Sequence, residues 1–176
     1  MLADDNQSPL ASAAGMELDP RLAIVALGSN QGDSERIVLD AMERLQSLSD
    51  SPTLKSTLLK TSPVDCPPDS PDFVNAVIGL MPRGGETPES LLPKLLQLEL
   101  EFGPRPRVVA NDPRHLDLDL IAFGSETRAS PDLTLPHPRA HLREFVLRPL
   151  AEIAPELIFP GQSKTVAQLL SGLPGS

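Results

Sequence analysis

The chain has 176 residues, a net charge of −9, one cysteine and neither Trp nor Tyr. That length fits one domain, which at this size buries roughly 70% of the surface its unfolded chain exposes. Cys66 alone excludes an internal disulfide and any multi-cysteine zinc or iron–sulfur site, while the acidic balance and scarce aromatics argue against DNA binding and against a base-stacking platform for single strands.

Met1 to Pro20 carries no Lys or Arg and no continuous apolar block. It reads as a disordered leader (residues 1–20), not as a signal or transit peptide, and residues 21–176 read as one domain. No apolar run approaches the roughly 18 residues needed to cross a bilayer, so a reducing, cytoplasmic location is expected. Leu22 to Leu27 is a short apolar run stopped by Gly28 and predicts a buried strand. After the polar turn Gly28 to Asp33, a helix is predicted from about Ser34 to Leu48, with Asp33 or Ser34 as N-cap. Val38, Ala41, Met42, Leu45 and Leu48 form its apolar stripe.

Thr53 to Lys60 predicts a second strand. The proline-rich stretch Thr61 to Asp72 predicts a loop; Cys66 lies in it with no activating partner evident from the sequence. Phe73 to Met81 predicts a third strand, with Phe73, Asn75 and Val77 on one face. Thr87-Pro88 is a helix start, and the helix should run to about Phe102 and close at Gly103. Pro93 should kink it or shift its start. Gly103 to His115 predicts a loop, and Leu116 to Phe123 a fourth strand. Further helix is predicted at Arg143 to Ala154, interrupted by Pro149, and at Val166 to Leu173. Strand, helix, strand, strand, helix, strand is the split βαβ, ferredoxin-like order: an α+β fold with a mostly antiparallel sheet, the core helices packed on one face, and C-terminal helices added.

The fourth strand carries the chemistry. Leu116-Asp117-Leu118-Asp119-Leu120-Ile121 puts both Asp side chains on one face and the leucines on the other. Two like charges about 7 Å apart repel, and a divalent cation with phosphate oxygens resolves that repulsion. A solvated acidic face is the alternative. Seven of the fifteen cationic residues fall between Arg105 and Arg148, and all seven are Arg. Their planar donor forks suit phosphate oxygens, although they can also neutralise surface acids. Carboxylates for metal beside arginines for phosphate suit a nucleoside triphosphate.

The motifs Leu27-Gly28-Ser29-Asn30, Thr61-Ser62-Pro63-Val64, Pro71-Asp72-Phe73-Val74-Asn75, Glu99 before Phe102-Gly103, Pro113-Arg114-His115-Leu116-Asp117-Leu118-Asp119, Leu135-Pro136-His137-Pro138-Arg139 and Phe145-Val146-Leu147 occur in this order. From about Ala23 to Leu170 the chain resembles the 6-hydroxymethyl-7,8-dihydropterin pyrophosphokinases of folate biosynthesis. The resemblance implies transfer of pyrophosphate from ATP to the pterin hydroxymethyl group, releasing AMP. It implies two magnesium ions held by Asp117 and Asp119, with Arg114 stabilising charge on the phosphates. By the same resemblance Glu99, Leu120 (through its backbone), Thr134, His137 and Arg143 meet ATP. Gly28, Thr61, Ser62, Val64, Phe73, Asn75 and Phe145 meet the pterin. Asn75 offers both a donor and an acceptor to a pterin edge; Phe73 and Phe145, which alone would read as core residues, would sandwich the ring. The expected partners are these small molecules, with no nucleic acid, no membrane and a monomeric state.

The chain also departs from the family. Ala110 and Asn111 stand where the family often has Arg and sometimes Trp, Arg105 and Arg107 lie upstream, and Asp65 replaces a common glycine. Two rival readings are a nucleotidyltransferase, whose Gly-Ser turn and Asp-x-Asp lie closer together than Ser29 and Asp117, and a non-catalytic ferredoxin-like module that binds a metabolite.

Overall fold

The first predicted strand forms over Ala23–Ser29 (β1) and becomes the centre of the main sheet. The computed structural model describes residues 19–63, 68–103 and 115–175. Val64, Cys66, Arg105, Arg107, Ala110, Asn111, Arg114 and nearly all of the predicted leader lie outside the described residues. The later strands are β2 (Leu54–Lys55), β3 (Leu59–Thr61), β4 (Phe73–Leu80) and β5 (Asp117–Phe123). Strands β2 and β3 both pair with β4, β4 pairs with β1, and β1 pairs with β5, every pair antiparallel. This is the arrangement that the split βαβ order predicts.

The predicted second strand is interrupted. Lys55 pairs with Ile78 and Leu59 with Asn75, so four steps on one strand answer three on the other. The extra residue breaks the ladder as a bulge does. Ser56 accommodates it: its N–H donates to the Val77 carbonyl at 3.0 Å, and its Oγ accepts from the Val77 N–H at 2.9 Å. Thr57 turns outward, where its N–H and hydroxyl donate to the Glu152 carboxylate at 2.9 and 2.8 Å.

Helix α1 (Ser34–Leu45) is shorter than predicted and passes into a tighter 3-10 turn over Gln46–Leu48. Asp33 is its N-cap, accepting from the Arg36 N–H. Helix α2 (Pro88–Glu101) starts at a reciprocal cap between Thr87 and Ser90 and runs through Pro93. Pro93 is tolerated because the helical bond it removes belongs to the carbonyl of Glu89, an exposed residue of the first turn that water reaches. The sequence reading missed the short pair β6 (Arg128–Ala129) and β7 (Thr134–Leu135). Arg128 ties this pair to α2 through Glu89.

Two cores result. Val25, Leu27, Ala76, Ile78, Leu118 and Leu120 face α1 and α2. Ile24, Ala26, Val77, Ile121 and Ala122 face helix α3 (Glu144–Ile153), with α4 (Val166–Ser171) and Phe159 beyond it. The core helices α1 and α2 therefore share one face, as the ferredoxin-like order predicts, and the C-terminal helices cover the other. The reason lies in β1: both of its alternating residue sets are apolar, so each face has to be buried. No described helix is long and apolar enough to cross a membrane.

The β1–β5 register shifts between Ile24, opposite Ala122, and Val25, opposite Leu120. Ile121 is the unpaired residue. Beyond it the alternation inverts: Ala122 joins Ile121 in the second core and Phe123 crosses to the first. Before it, at Asp117 to Leu120, simple alternation holds.

Candidate active site

Leu118 and Leu120 are buried against α1 and α2, so Asp117 and Asp119 project from the opposite face, both half-buried. Register carries that face across the sheet. Asp117 lies opposite Gly28, and Gly28 opposite Asn75. One row further in, Asp119, Ala26 and Val77 align the same way. Asp117 and Asn75 thus stand about 10 Å apart, two strand spacings, with a glycine between them. A Cβ at Gly28 would lie 3.3 Å from Asn75 Oδ1 and narrow this gap.

Asn75 is only 6% exposed, and its Nδ2 donates to the Thr61 hydroxyl at 2.9 Å. Thr61 pairs directly with Phe73, so Thr61, Phe73 and Asn75 form one end of the same face. Ser62 follows, exposed. Gly28, Thr61, Phe73, Asn75, Asp117 and Asp119 are therefore all brought together.

The segment after β7 supplies the cations. The His137 N–H donates to the Ile121 carbonyl at 2.8 Å, which fixes this segment beside β5. His137 Nδ1 accepts from the Arg139 N–H at 3.2 Å, so the neutral ring carries its proton on Nε2. Burial holds the imidazole below its ordinary 6.5, helped by the charges of Arg143 and Arg139 and opposed by Asp117. Arg143, Arg139 and Asp117 thus all act electrostatically on His137. Arg143 is the N-cap of α3, and its guanidinium lies 5.3 Å from the Phe145 ring centroid. The sequence reading counted Arg139 within the arginine cluster suited to phosphate and gave it no individual contact.

The sign of the shift on His137 sets a pH dependence. The folded state takes up this proton at lower pH than the unfolded chain does. The stability contributed by the neutral ring is complete above 6.5 and is lost as pH falls from there through the folded value. Arg143→Gln is expected to raise the His137 pKa and Asp117→Asn to lower it further, as read by NMR titration of the imidazole. Shifts of the opposite sign would separate these groups.

Three expected nucleotide contacts sit differently. Glu99 is 3% exposed on α2, and its Oε1 accepts from the Leu118 N–H at 2.8 Å. That bond satisfies a buried backbone donor of β5. Leu120 buries its side chain in the first core, so only its backbone is available to a ligand. Thr134 is exposed on β7 opposite Ala129.

Comparison with known proteins identifies the family. Residues 24–155 match the family model for 7,8-dihydro-6-hydroxymethylpterin-pyrophosphokinase. A 2-amino-4-hydroxy-6-hydroxymethyldihydropteridine pyrophosphokinase of Haemophilus influenzae is 36% identical over 149 residues, covering 84% of this chain and 90% of that protein. The folic acid synthesis protein fol1 of Pneumocystis carinii is 35% identical over 150 residues, 85% of this chain, and the chain spans only 20% of its length. Among solved structures, the HPPK-DHPS of Plasmodium falciparum superposes with a TM-score of 0.65 at 13% identity, covering 85% of this chain and 44% of that one; it shows the shared fold. With a family model matched over most of its length and a relative aligned nearly end to end, the chain belongs to the 7,8-dihydro-6-hydroxymethylpterin-pyrophosphokinase family, enzymes that transfer pyrophosphate from ATP to hydroxymethyldihydropterin in folate synthesis.

Proposed function

We propose that this chain, through a domain spanning residues 21–176, transfers pyrophosphate from ATP to the hydroxymethyl group of 6-hydroxymethyl-7,8-dihydropterin and releases AMP, on the sheet face that carries Asp117, Gly28 and Asn75. The observation that carries this reading is the register: Asp117 and the buried amide of Asn75 flank Gly28 on adjacent strands, with Asp119 one row further in, opposite Ala26. The triphosphate lies over Asp117 and Asp119, with His137 and Arg143 toward its oxygens. The pterin lies over Asn75 and Thr61, between Phe73 and Phe145. The hydroxyl then points across Gly28 toward the β-phosphorus.

Among the described residues no three His, Cys, Asp or Glu side chains form a metal cage. Two in-register carboxylates fit magnesium, which keeps open positions for phosphate oxygens and water. Asp117 and Asp119 would hold two such ions, and when bound these neutralise charge developing on the phosphates. The protein's own part is placement. Asn75 orients the pterin edge, the neutral His137 presents Nε2–H as a donor, and Arg143 supplies a fixed positive charge. Positioning of this kind dominates phosphoryl transfer. Arg114, which directly precedes His115 and lies outside the described residues, is assigned to the phosphates on the family motif alone. Val64 and Ser62 are assigned to the pterin, and Glu99, Thr134 and the Leu120 backbone to the nucleotide, on the same ground. A monomeric, cytoplasmic protein fits two small-molecule substrates.

Product analysis tests the reaction. Protein, ATP, magnesium and the pterin alcohol should give AMP and a pterin diphosphate. ADP would mean an ordinary kinase, and free pyrophosphate a nucleotidyltransferase; either result overturns the proposal.

A further inference from the structure

We propose that His115 is a positioning residue for the acidic strand: its imidazole seats on the bare Cα atoms of Gly103 and Gly32 and fixes where β5 begins. The contacts are close. A Cβ placed on Gly103 would lie 2.4 Å from His115 Cδ2 and 2.9 Å from Cγ. One on Gly32 would lie 3.6 Å from Nδ1 and 3.8 Å from Cε1. Both glycines hold left-handed backbone, with φ of +146° and +76°, which L side chains rarely adopt. The ring thus packs where only glycine leaves room, against the end of α2 and against the turn that joins β1 to α1.

What this does for β5 follows from the next three residues. Leu116 is buried in the first core. Leu118 is tied to α2 by the Glu99 carboxylate. With His115, Leu116 and Leu118 all anchored on the α1–α2 side, Asp117 has to project from the other face, opposite Gly28. Among the described residues no strand pairs with β5 on the side that Glu99 bonds, so β5 is held there by side-chain ties, in addition to its pairing with β1 and the His137 N–H on the Ile121 carbonyl. His115 supplies the first of these ties, two residues before the first carboxylate. The inference rests on the reading of Asp117 and Asp119 as the residues that hold magnesium and phosphate.

The test compares His115→Ala, His115→Phe, Gly103→Ala and the Gly103→Ala/His115→Ala double variant in the full chain. Three readouts are needed: hydrogen exchange of the Leu118 to Ile121 amides in the ligand-free protein, the affinity for Mg2+ with a non-hydrolysable ATP analogue, and the affinity for the pterin alone. His115→Ala is expected to speed exchange in β5 and weaken Mg2+–nucleotide binding about tenfold, as loss of an outer support does in metal sites, while pterin affinity stays within about twofold. His115→Phe, a flat ring on the same seat, restores most of both. Gly103→Ala should cost less in the His115→Ala background than alone, because the ring it collides with is gone. Unchanged exchange and Mg2+ affinity in His115→Ala overturn the proposal, as does equal loss of pterin and nucleotide binding without rescue by Phe. Asp117→Ala separates the two levels. If it leaves Mg2+ affinity intact, the metal reading fails, and the exchange result still decides whether His115 fixes the strand.

Discussion

Asp117→Ala is expected to abolish pyrophosphate transfer, by at least about a thousandfold, while the protein stays folded. A thousandfold corresponds to about 4 kcal/mol of barrier, the scale that metal-held charge stabilisation supplies. Stability should change little. Asp117 is half-buried at the first position of β5, and neither apolar core includes it. Two carboxylates about 7 Å apart repel by about 2 kcal/mol at an effective dielectric near 20, so the substitution also relieves a cost. The checks are the transfer assay and a thermal melt on the same preparation. Transfer at near-native rate would remove Asp117 from the metal site, and a collapsed melt would make it a folding residue.

Much of the fold was legible because apolar periodicity and turn chemistry agree along the chain. The apolar run Leu22 to Leu27 marks most of β1, which continues through Gly28 to Ser29, and α2 opens on Thr87-Pro88, so both were placed within a residue or two. Where the sequence misled, long-range pairing had decided the outcome. The break between β2 and β3 is a bulge against β4, set by Ser56 bonding Val77 across the sheet; nothing local to Thr53–Lys60 signals it. The β6–β7 pair is too short for periodicity to register. Pro93 looked disruptive because its penalty was weighed without the exposure of Glu89.

The site was legible in a different way. Alternation alone paired Asp117 with Asp119, whereas Asn75 took its role only from the family resemblance. The distance between these two features was not visible, because it depends on β1 lying between β5 and β4. That adjacency places Gly28 opposite both and turns two separate motifs into one surface. Glu99 shows the converse. On a leucine-rich helix it had the pattern of an exposed acid, yet it is buried on a backbone donor. Burial of a carboxylate depends on the partner the fold brings to it, and periodicity carries no information about that partner.

Phe145→Ala is expected to weaken pterin binding by roughly 30- to 150-fold, or about 2–3 kcal/mol of lost burial and stacking, and ATP binding by no more than a few-fold. The inequality follows from where the ring stands. Phe145 is 37% exposed, whereas Phe123 and Phe159 are 7% and 2% exposed. A ring left so open contributes little to the core, so its removal should cost the fold little, while an incoming planar ligand would gain by covering it. Phe73, half-buried at the start of β4 beside Asn75, is the second wall. The small loss for ATP comes through Arg143, whose guanidinium the Phe145 ring steadies from 5.3 Å. Separate titrations with the pterin alcohol and with a non-hydrolysable ATP analogue decide it. Equal losses for both ligands would place Phe145 in general support of α3 and leave the pterin without its second wall.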